Sequence, residues 1–492
     1  MAAAGTPRPN PVGEVVIDRR PLWRIALDRS RRAGFIALGV AVYAYTAWGM
    51  PNPPGLSTNG RQALAVFFVC LLFWVFNVLP LMVTSLLALV LLPLSGAMSS
   101  AEAYALFGNE ALFFILGAFI LSAALIHCGL TTRITLTVLR RFGHTPGTLL
   151  ASIYLLNGAM ACFMSEHAVA AMTFPIITEI ANALRLPRRR SNYGRALFVA
   201  MAWGTTLGGI VTLLGGARAP LAIGILRKST GQTFGFAQWT MAAWPVAAIA
   251  LGIGWLVMRR AFHIEITSIR DAEVVLSDKV KRLGRLSGNE KGIAAVMILT
   301  LLAWIVLGED YGLANIALGA VVVLFLFGLV RWRDVEGYVN WGILLMYGGA
   351  ISLGAALNRS GAAAWLASLT LEQVAHSGAA IVLVLSATTL ALTEAMSNSA
   401  VVALLMPVTI GLAERAGLDP AIMVPTIAIP SGLAFMLPMG TPATAMAYSS
   451  GYLSIRDMLL PAGVMIVASW IVFNVVAQVY WPLIGLSPYV PG

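Results

Sequence analysis

Charge is what this chain has least of. Over 492 residues only 11% are Asp, Glu, Lys or Arg, whereas 59% are apolar. A soluble chain of this length needs far more charge to cover its surface, so composition excludes a cytosolic globular protein. Cysteine is almost as sparse. Cys70, Cys128 and Cys162 all lie in apolar stretches without metal-ligand spacing, so they read as packed core residues and imply neither a disulfide framework nor zinc. The five histidines, His127, His144, His167, His263 and His376, are scattered. No His-Glu-x-x-His or Gly-x-Ser-x-Gly motif occurs, no phosphate loop, and no stretch long enough to fold a soluble nucleotide domain. These gaps argue against an intramembrane enzyme and a primary pump. A channel would need a continuous polar pore, yet the polar residues inside apolar segments gather at two places.

What is abundant is apolar sequence in runs of bilayer length, for example 35–50, 63–80, 112–130, 293–307 and 313–330. In hydrocarbon every backbone group must be satisfied internally, and continuous rather than alternating apolar runs select helices over a barrel. The expected fold is an all-α polytopic membrane protein with about eleven transmembrane helices. The net charge of +11 is distributed in a telling way. Arginines cluster in the N-terminal arm (Arg19, Arg20, Arg24, Arg29, Arg31, Arg32), at Arg133, Arg140 and Arg141, at Arg188 to Arg190, and from Arg259 to Lys291. The intervening stretches 51–60, 98–110 and 308–312 have no Lys or Arg. That alternation is the positive-inside pattern, and it points to a multi-pass protein of the inner (plasma) membrane with a cytoplasmic N-terminus, not to a nucleic-acid partner. The basic arm before the first span reads as the flank of a signal anchor rather than a cleaved leader.

Along the chain, spans are expected at about 35–50, 61–80, 81–97 and 110–130, followed by a basic amphipathic stretch from Thr131. The segment 145–186 has basic flanks at both ends, so it enters and leaves on one side. Polar residues interrupt it at Met164–Ala168, which suits a re-entrant hairpin with its tip buried in protein. A long helix over 197–225 follows, with an expected break at about 215–220, and the span 244–258 returns to a charged linker at 259–291. The second half repeats the plan: spans at 293–307, 313–330 and 341–357, a second interrupted hairpin at 381–412, a helix over 422–448 broken around 438–442, and a last span at 462–483. Counting sides puts the ends of the second hairpin opposite to those of the first, so the two halves are expected as inverted-topology repeats.

Internal similarity carries the functional signal. Met164, Ser165, Ala168, Val169, Ala171 and Pro175 recur without gaps at Met396, Ser397, Ala400, Val401, Ala403 and Pro407. Each motif precedes a broken helix, with Gly215, Gly216 and Arg218 in the first break and Gly440, Thr441 and Pro442 in the second. A broken helix offers free N–H groups at one end, which hold an oxyanion without lysine, and free carbonyls at the other, which coordinate a cation. Two hairpins and two broken helices in matching positions are the signature of a midplane transport site.

Thr393 to Ser399 (ThrGluAlaMetSerAsnSer) together with Met436 to Pro442 resemble the divalent anion:sodium symporters, the dicarboxylate, citrate and sulfate carriers, over most of the chain from about residue 35. The resemblance implies a homodimer in the lipid bilayer, with a rigid scaffold and a transport domain working by an elevator motion. The scaffold would comprise 35–130 and 292–357; the transport elements would be 131–258 and 358–492, with 1–34 as cytoplasmic arm. By position, Ser165, Ser397, Asn398, Ser399, Thr441 and Pro442 would line the anion site, with Gly216 and Thr205 as further candidates. The first motif reads Ser165-Glu166-His167 where the family has Ser-Asn-Thr, and Arg218 stands in the first break where Pro is common. A fixed arginine beside Glu166 argues against the first family sodium site, while the second, around Asn398, keeps more of its pattern, with Thr444 where Asn is usual. No cofactor is implied beyond a coupling Na+ or H+. The expected function is a secondary carrier of a small di- or tricarboxylate or similar divalent anion. Its coupling candidates are Glu166, His167, Thr205, Asn398 and Thr444, with a proton through Glu166 or His167, exchange or uniport set against sodium. Arg218 is either a direct partner of the substrate carboxylate or half of a structural ion pair with Glu166. The alternatives are a sulfate carrier or a permease of the arsenite-efflux or sodium/proton-antiport type.

Overall fold

The computed structural model describes residues 22–51, 53–371 and 377–486. Residues 1–21 of the N-terminal arm, with Arg19 and Arg20, lie outside the described residues. The first part of the chain forms α1 (Leu22–Ala44), α2 (Thr58–Val75), α3 (Leu81–Leu94), α4 (Ser100–Phe107), α5 (Glu110–His127) and α6 (Leu130–Phe142). It continues with a helical hairpin, α7 (Pro146–Ala161) and α8 (Glu166–Ala183), then α9 (Asn192–Gly208), α10 (Arg218–Thr230) and α11 (Phe236–Ala261). The charged linker folds as α12 (Arg270–Arg282). The second part is α13 (Gly288–Val306), α14 (Gly308–Tyr311), α15 (Leu313–Leu326), α16 (Trp332–Val335), α17 (Trp341–Arg359) and α18 (Ala362–Leu371). A second hairpin, α19 (Gly378–Ala395) and α20 (Asn398–Arg415), precedes α21 (Met423–Ser431), α22 (Pro442–Ser449) and α23 (Ile455–Val475). Among the described residues there is no strand, and seven helices are long and apolar enough to cross a membrane. The protein is an all-α, multi-pass membrane protein.

The order of elements in the first part recurs in the second, and packing exchanges between them. Helix α5 packs on α15 and α17 on α3; α10 packs on α20 and α21, while α22 packs on α8 and α9. Helix α11 packs on its own counterpart, α23. The amphipathic stretch expected at Thr131 is α6, which buries Thr131, Thr135, Leu136 and Leu139. Its Arg133 is spent on structure: Nε meets the Glu290 carboxylate at 2.6 Å, and the guanidinium also donates to the carbonyls of Leu283 and Gly284, each at 3.0 Å. That ties α6 to the start of α13.

Several boundaries differ from the sequence reading: the first helix begins at Leu22 rather than near 35, α11 at Phe236 rather than 244, and both breaks come early. The first break begins at Gly209, not near 215, and the second at Gly432, not near 438. In each case a local helix breaker acts first. Gly208 and Gly209 stand together in the first, and Pro430 followed by Gly432 ends the second. The short helices α4 and α18 also lie where the sequence reading placed none.

Helices α7 and α9 meet almost backbone to backbone. A methyl group on Gly208 would overlap the Gly158 carbonyl, and one on Gly204 would overlap the Tyr154 carbonyl. Overpacking of this kind costs roughly 1–3 kcal/mol. Gly208→Ala is therefore expected to lower the thermal unfolding midpoint of the purified protein, and an unchanged midpoint would contradict this packing.

Candidate functional site

Both hairpin tips are built alike. Ser165 ends the first turnback and its hydroxyl accepts from the Ala168 amide at 3.4 Å; Ser397 does the same for Ala400 at 3.3 Å. The two tip serines are thus N-caps, which explains locally why α8 and α20 start where they do. Thr441 caps α22 in the same manner, accepting from the Thr444 amide at 3.1 Å, with Pro442 at the first helical position.

At the first tip, the Glu166 amide donates to the Gly215 carbonyl at 2.9 Å, which joins the hairpin to the first break. Arg218 Nη1 donates to Glu166 Oε1 at 2.7 Å, and the two side chains are only 3% and 5% exposed. Gly216 lies against Arg218 Nη1. Arg218 opens α10, so its charge sits at the helix end that disfavours a cation, and Glu166 offsets it. Its Nε and Nη2 find no hydrogen-bond partner among the described residues.

At the second tip the groups are neutral. Thr393 donates to the Ser431 carbonyl at 2.6 Å. With its amide oriented to satisfy both ends, Asn398 donates to the carbonyls of Ser431 at 3.0 Å and Gly440 at 2.6 Å. Oxygens of the hairpin and of both sides of the break therefore converge on Asn398. The break itself is held by Glu394. Oε1 accepts from the amides of Phe435 at 2.8 Å and Met436 at 3.1 Å, and Oε2 accepts from Leu437 at 2.9 Å.

The first tip meets the second break in the interior. Gly432, in the second break, lies against the Arg218 guanidinium, where any side chain would overlap it. The hydroxyls of Thr206 on α9 and Thr441 approach to 3.4 Å, and Thr441 and Thr444 to 2.8 Å. Met164, Glu166, Met396 and Asn398 are all buried. Ser165, Gly216, Ser397, Ser399 and Pro442 are half-buried, and His167 is exposed.

Of the candidates from sequence, Ser165, Glu166, Gly216 and Arg218 come together at the first tip, and Ser397 and Asn398 at the second, with Thr441, Pro442 and Thr444 at the start of α22. Thr205 is elsewhere. Its hydroxyl donates to Asn157 Oδ1 at 3.3 Å, which also accepts from Thr173 at 2.8 Å, a polar node inside the α7–α8–α9 packing. Thr206, one residue on, is the threonine that faces the second half. Thr206 had no distinguishing signal in the sequence, because only the fold says which face of a buried helix meets the other half.

Paired hairpins and broken helices that gather buried polar groups within a helical membrane bundle define a secondary transporter. A family model for the sodium:sulfate symporter transmembrane region matches residues 33–487. The sodium-dependent dicarboxylate transporter SdcS of Staphylococcus saprophyticus is 28% identical over 433 residues, covering 83% of this chain and 83% of that protein. Among solved structures, MtrF of Neisseria gonorrhoeae, described as one of a class of antimetabolite efflux pumps, superposes with a TM-score of 0.53 at 13% identity. It covers 92% of this chain and 95% of that one. The Alcanivorax borkumensis YdaH transporter gives 0.51 at 15% identity over 78% of this chain and 88% of that one. These two likenesses concern the fold alone. The chain belongs to the divalent anion:sodium symporter family; it is a secondary transporter of anions, not an enzyme.

Proposed function

We propose that the protein carries a small dicarboxylate, or a tricarboxylate or similar divalent anion, by an elevator motion of one part of the bundle past the other. The single observation behind this is the buried Arg218, which opens α10 with two nitrogens, Nε and Nη2, unpaired beside the first hairpin tip and the second break. A buried guanidinium with unmet donors is costly, and an anionic group on the substrate relieves that cost. The Ser397 and Thr441 ends of α20 and α22 add N-terminal dipole character for a second negative group. Similarity to a sodium-dependent dicarboxylate transporter supports the same substrate class. The exchanged packing of the two parts supports inverted repeats, the usual basis of alternating access.

For coupling, the reading is that the Arg218 cation stands where a first sodium ion would otherwise be held, neutralised by Glu166. With the Asn398 amide turned to present its oxygen, that oxygen and those of Thr393, Ser431 and Gly440 take the coupling sodium. A proton route through Glu166 is less favoured, because that carboxylate already pairs with Arg218 at 2.7 Å. The test is uptake of labelled succinate into proteoliposomes, with sulfate, citrate and arsenite as competitors. Uptake should fall when choline replaces sodium, and its sodium dependence should have a Hill slope of about one. Undiminished uptake in choline that follows the pH gradient would instead support proton coupling through Glu166 or His167.

A further inference from the structure

The exchange of packing between the two parts fails in one region, and the failure is systematic. Helix α10 packs closely on α5 and α17, whereas its counterpart α22 makes no comparable packing with either. Likewise α20 packs closely on α17, while α8 only touches α5. One end of the hairpin-bearing unit is thus docked on the α5–α17 layer and the equivalent end is not. Close docking is possible because Gly224 on α10 has no side chain. A methyl there would come to 2.8 Å from Ala111 Cβ and 3.3 Å from Asn109 Oδ1.

Polar contacts seal the docked end. Arg227, in the last turn of α10, pairs with Glu110, the first residue of α5. Each charge sits at the helix terminus whose dipole favours it. Two residues on, Ser229 accepts from Asn358 Nδ2 of α17 at 2.5 Å. The undocked end has no counterpart. Asn340 caps α17 as Asn109 caps α5, but Trp341 follows it where Glu110 follows Asn109, and the last turn of α22 carries no basic residue. The ion pair can therefore form only when the α10 end is docked.

We propose that Glu110 and Arg227 form a one-sided latch that holds the carrier in this docked state and is released at each transport cycle. The inference rests on the two-part carrier reading above. Its strength suits a reversible device. Both side chains are partly exposed, at 31% and 48%, and a cleft of about 270 Å³ opens beside them between α5, α10 and the α13–α15 connection. A half-exposed pair of this kind biases an equilibrium without freezing it.

The test uses the full-length protein with Ser229→Cys and Asn358→Cys, oxidised to a disulfide across the docked interface and quantified by mass spectrometry of the joined peptides. Single-cysteine variants serve as controls, and the three native cysteines are retained. Glu110→Gln or Arg227→Gln should slow disulfide formation by about two- to fivefold, and the charge-reversed pair Glu110→Arg with Arg227→Glu should restore it in part, because each charge then sits at the helix end that disfavours it. The cross-linked protein in proteoliposomes should lose uptake and regain it on reduction. Unchanged cross-linking in Glu110→Gln, or full uptake by the cross-linked carrier, overturns the latch. Absence of succinate uptake by the uncross-linked control would count against the functional reading instead, and the cross-linking rates would still decide the latch.

Discussion

Arg218→Ala is expected to destabilise the folded carrier by about 3–5 kcal/mol, because it strands the Glu166 carboxylate in a buried site. The same physics predicts a rescue. Replacing the pair together, Glu166→Leu with Arg218→Met, removes both charges and should recover most of that stability, since well-packed apolar groups of similar volume often substitute for a buried ion pair without net cost. Uptake should not recover. The unpaired Nε and Nη2 of the guanidinium would be gone, and with them the proposed contact to substrate. Arg218→Lys separates charge from geometry: it keeps the cation but lacks the planar fork, so folding should survive better than transport. Chemical unfolding of purified protein read beside succinate uptake measures both quantities. If the neutral pair transports at the normal rate, Arg218 is only a bolt between hairpin and break, and the anion is bound elsewhere.

The second large effect concerns Glu394, whose carboxylate accepts from the amides of Phe435, Met436 and Leu437 in the second break. Three successive amides have no helical partner there, and a carboxylate meets them with charge-assisted bonds. Glu394→Ala should cost about 3 kcal/mol, and Glu394→Gln less, because one oxygen remains while its NH2 group faces a donor. Both variants should reduce uptake by about tenfold or more, since the break positions Gly440 and the Thr441 cap of α22. Tyr448, whose hydroxyl donates to the Met436 carbonyl at 2.6 Å, holds the same loop and would be the next residue to vary. A Glu394→Gln protein with wild-type stability and uptake would show that the break keeps its shape without the carboxylate.

These predictions turn on residues that sequence reasoning weighed unequally. Glu166 and Arg218 stood out as charges inside apolar segments, which the bilayer makes expensive and therefore conspicuous. Glu394 is just as costly, but the sequence marks it only as part of the Thr393 to Ser399 motif. Its carboxylate bonds the backbone of the break some forty residues on, spanning Phe435 to Leu437. The tip serines were read as site residues from their recurrence, and each turns out to spend its hydroxyl on a helix cap as well. A capping serine and a binding serine have the same sequence signature, because both require a short oxygen at a helix start.

From composition and periodicity alone came the solvent, the helical class and the pairing of hairpin with broken helix. Those properties are local: hydrocarbon demands that each segment satisfy its own backbone, and clustered Gly and Pro weaken a helix at the place where they gather. The tertiary structure alone decided that Thr206 rather than Thr205 reaches Thr441, 235 residues away, that Arg218 lies between Glu166 and Gly432, and that α10 is docked while α22 is not. Such choices depend on which faces of distant helices meet, and a helix buried on all sides presents no polar stripe from which that facing could be read.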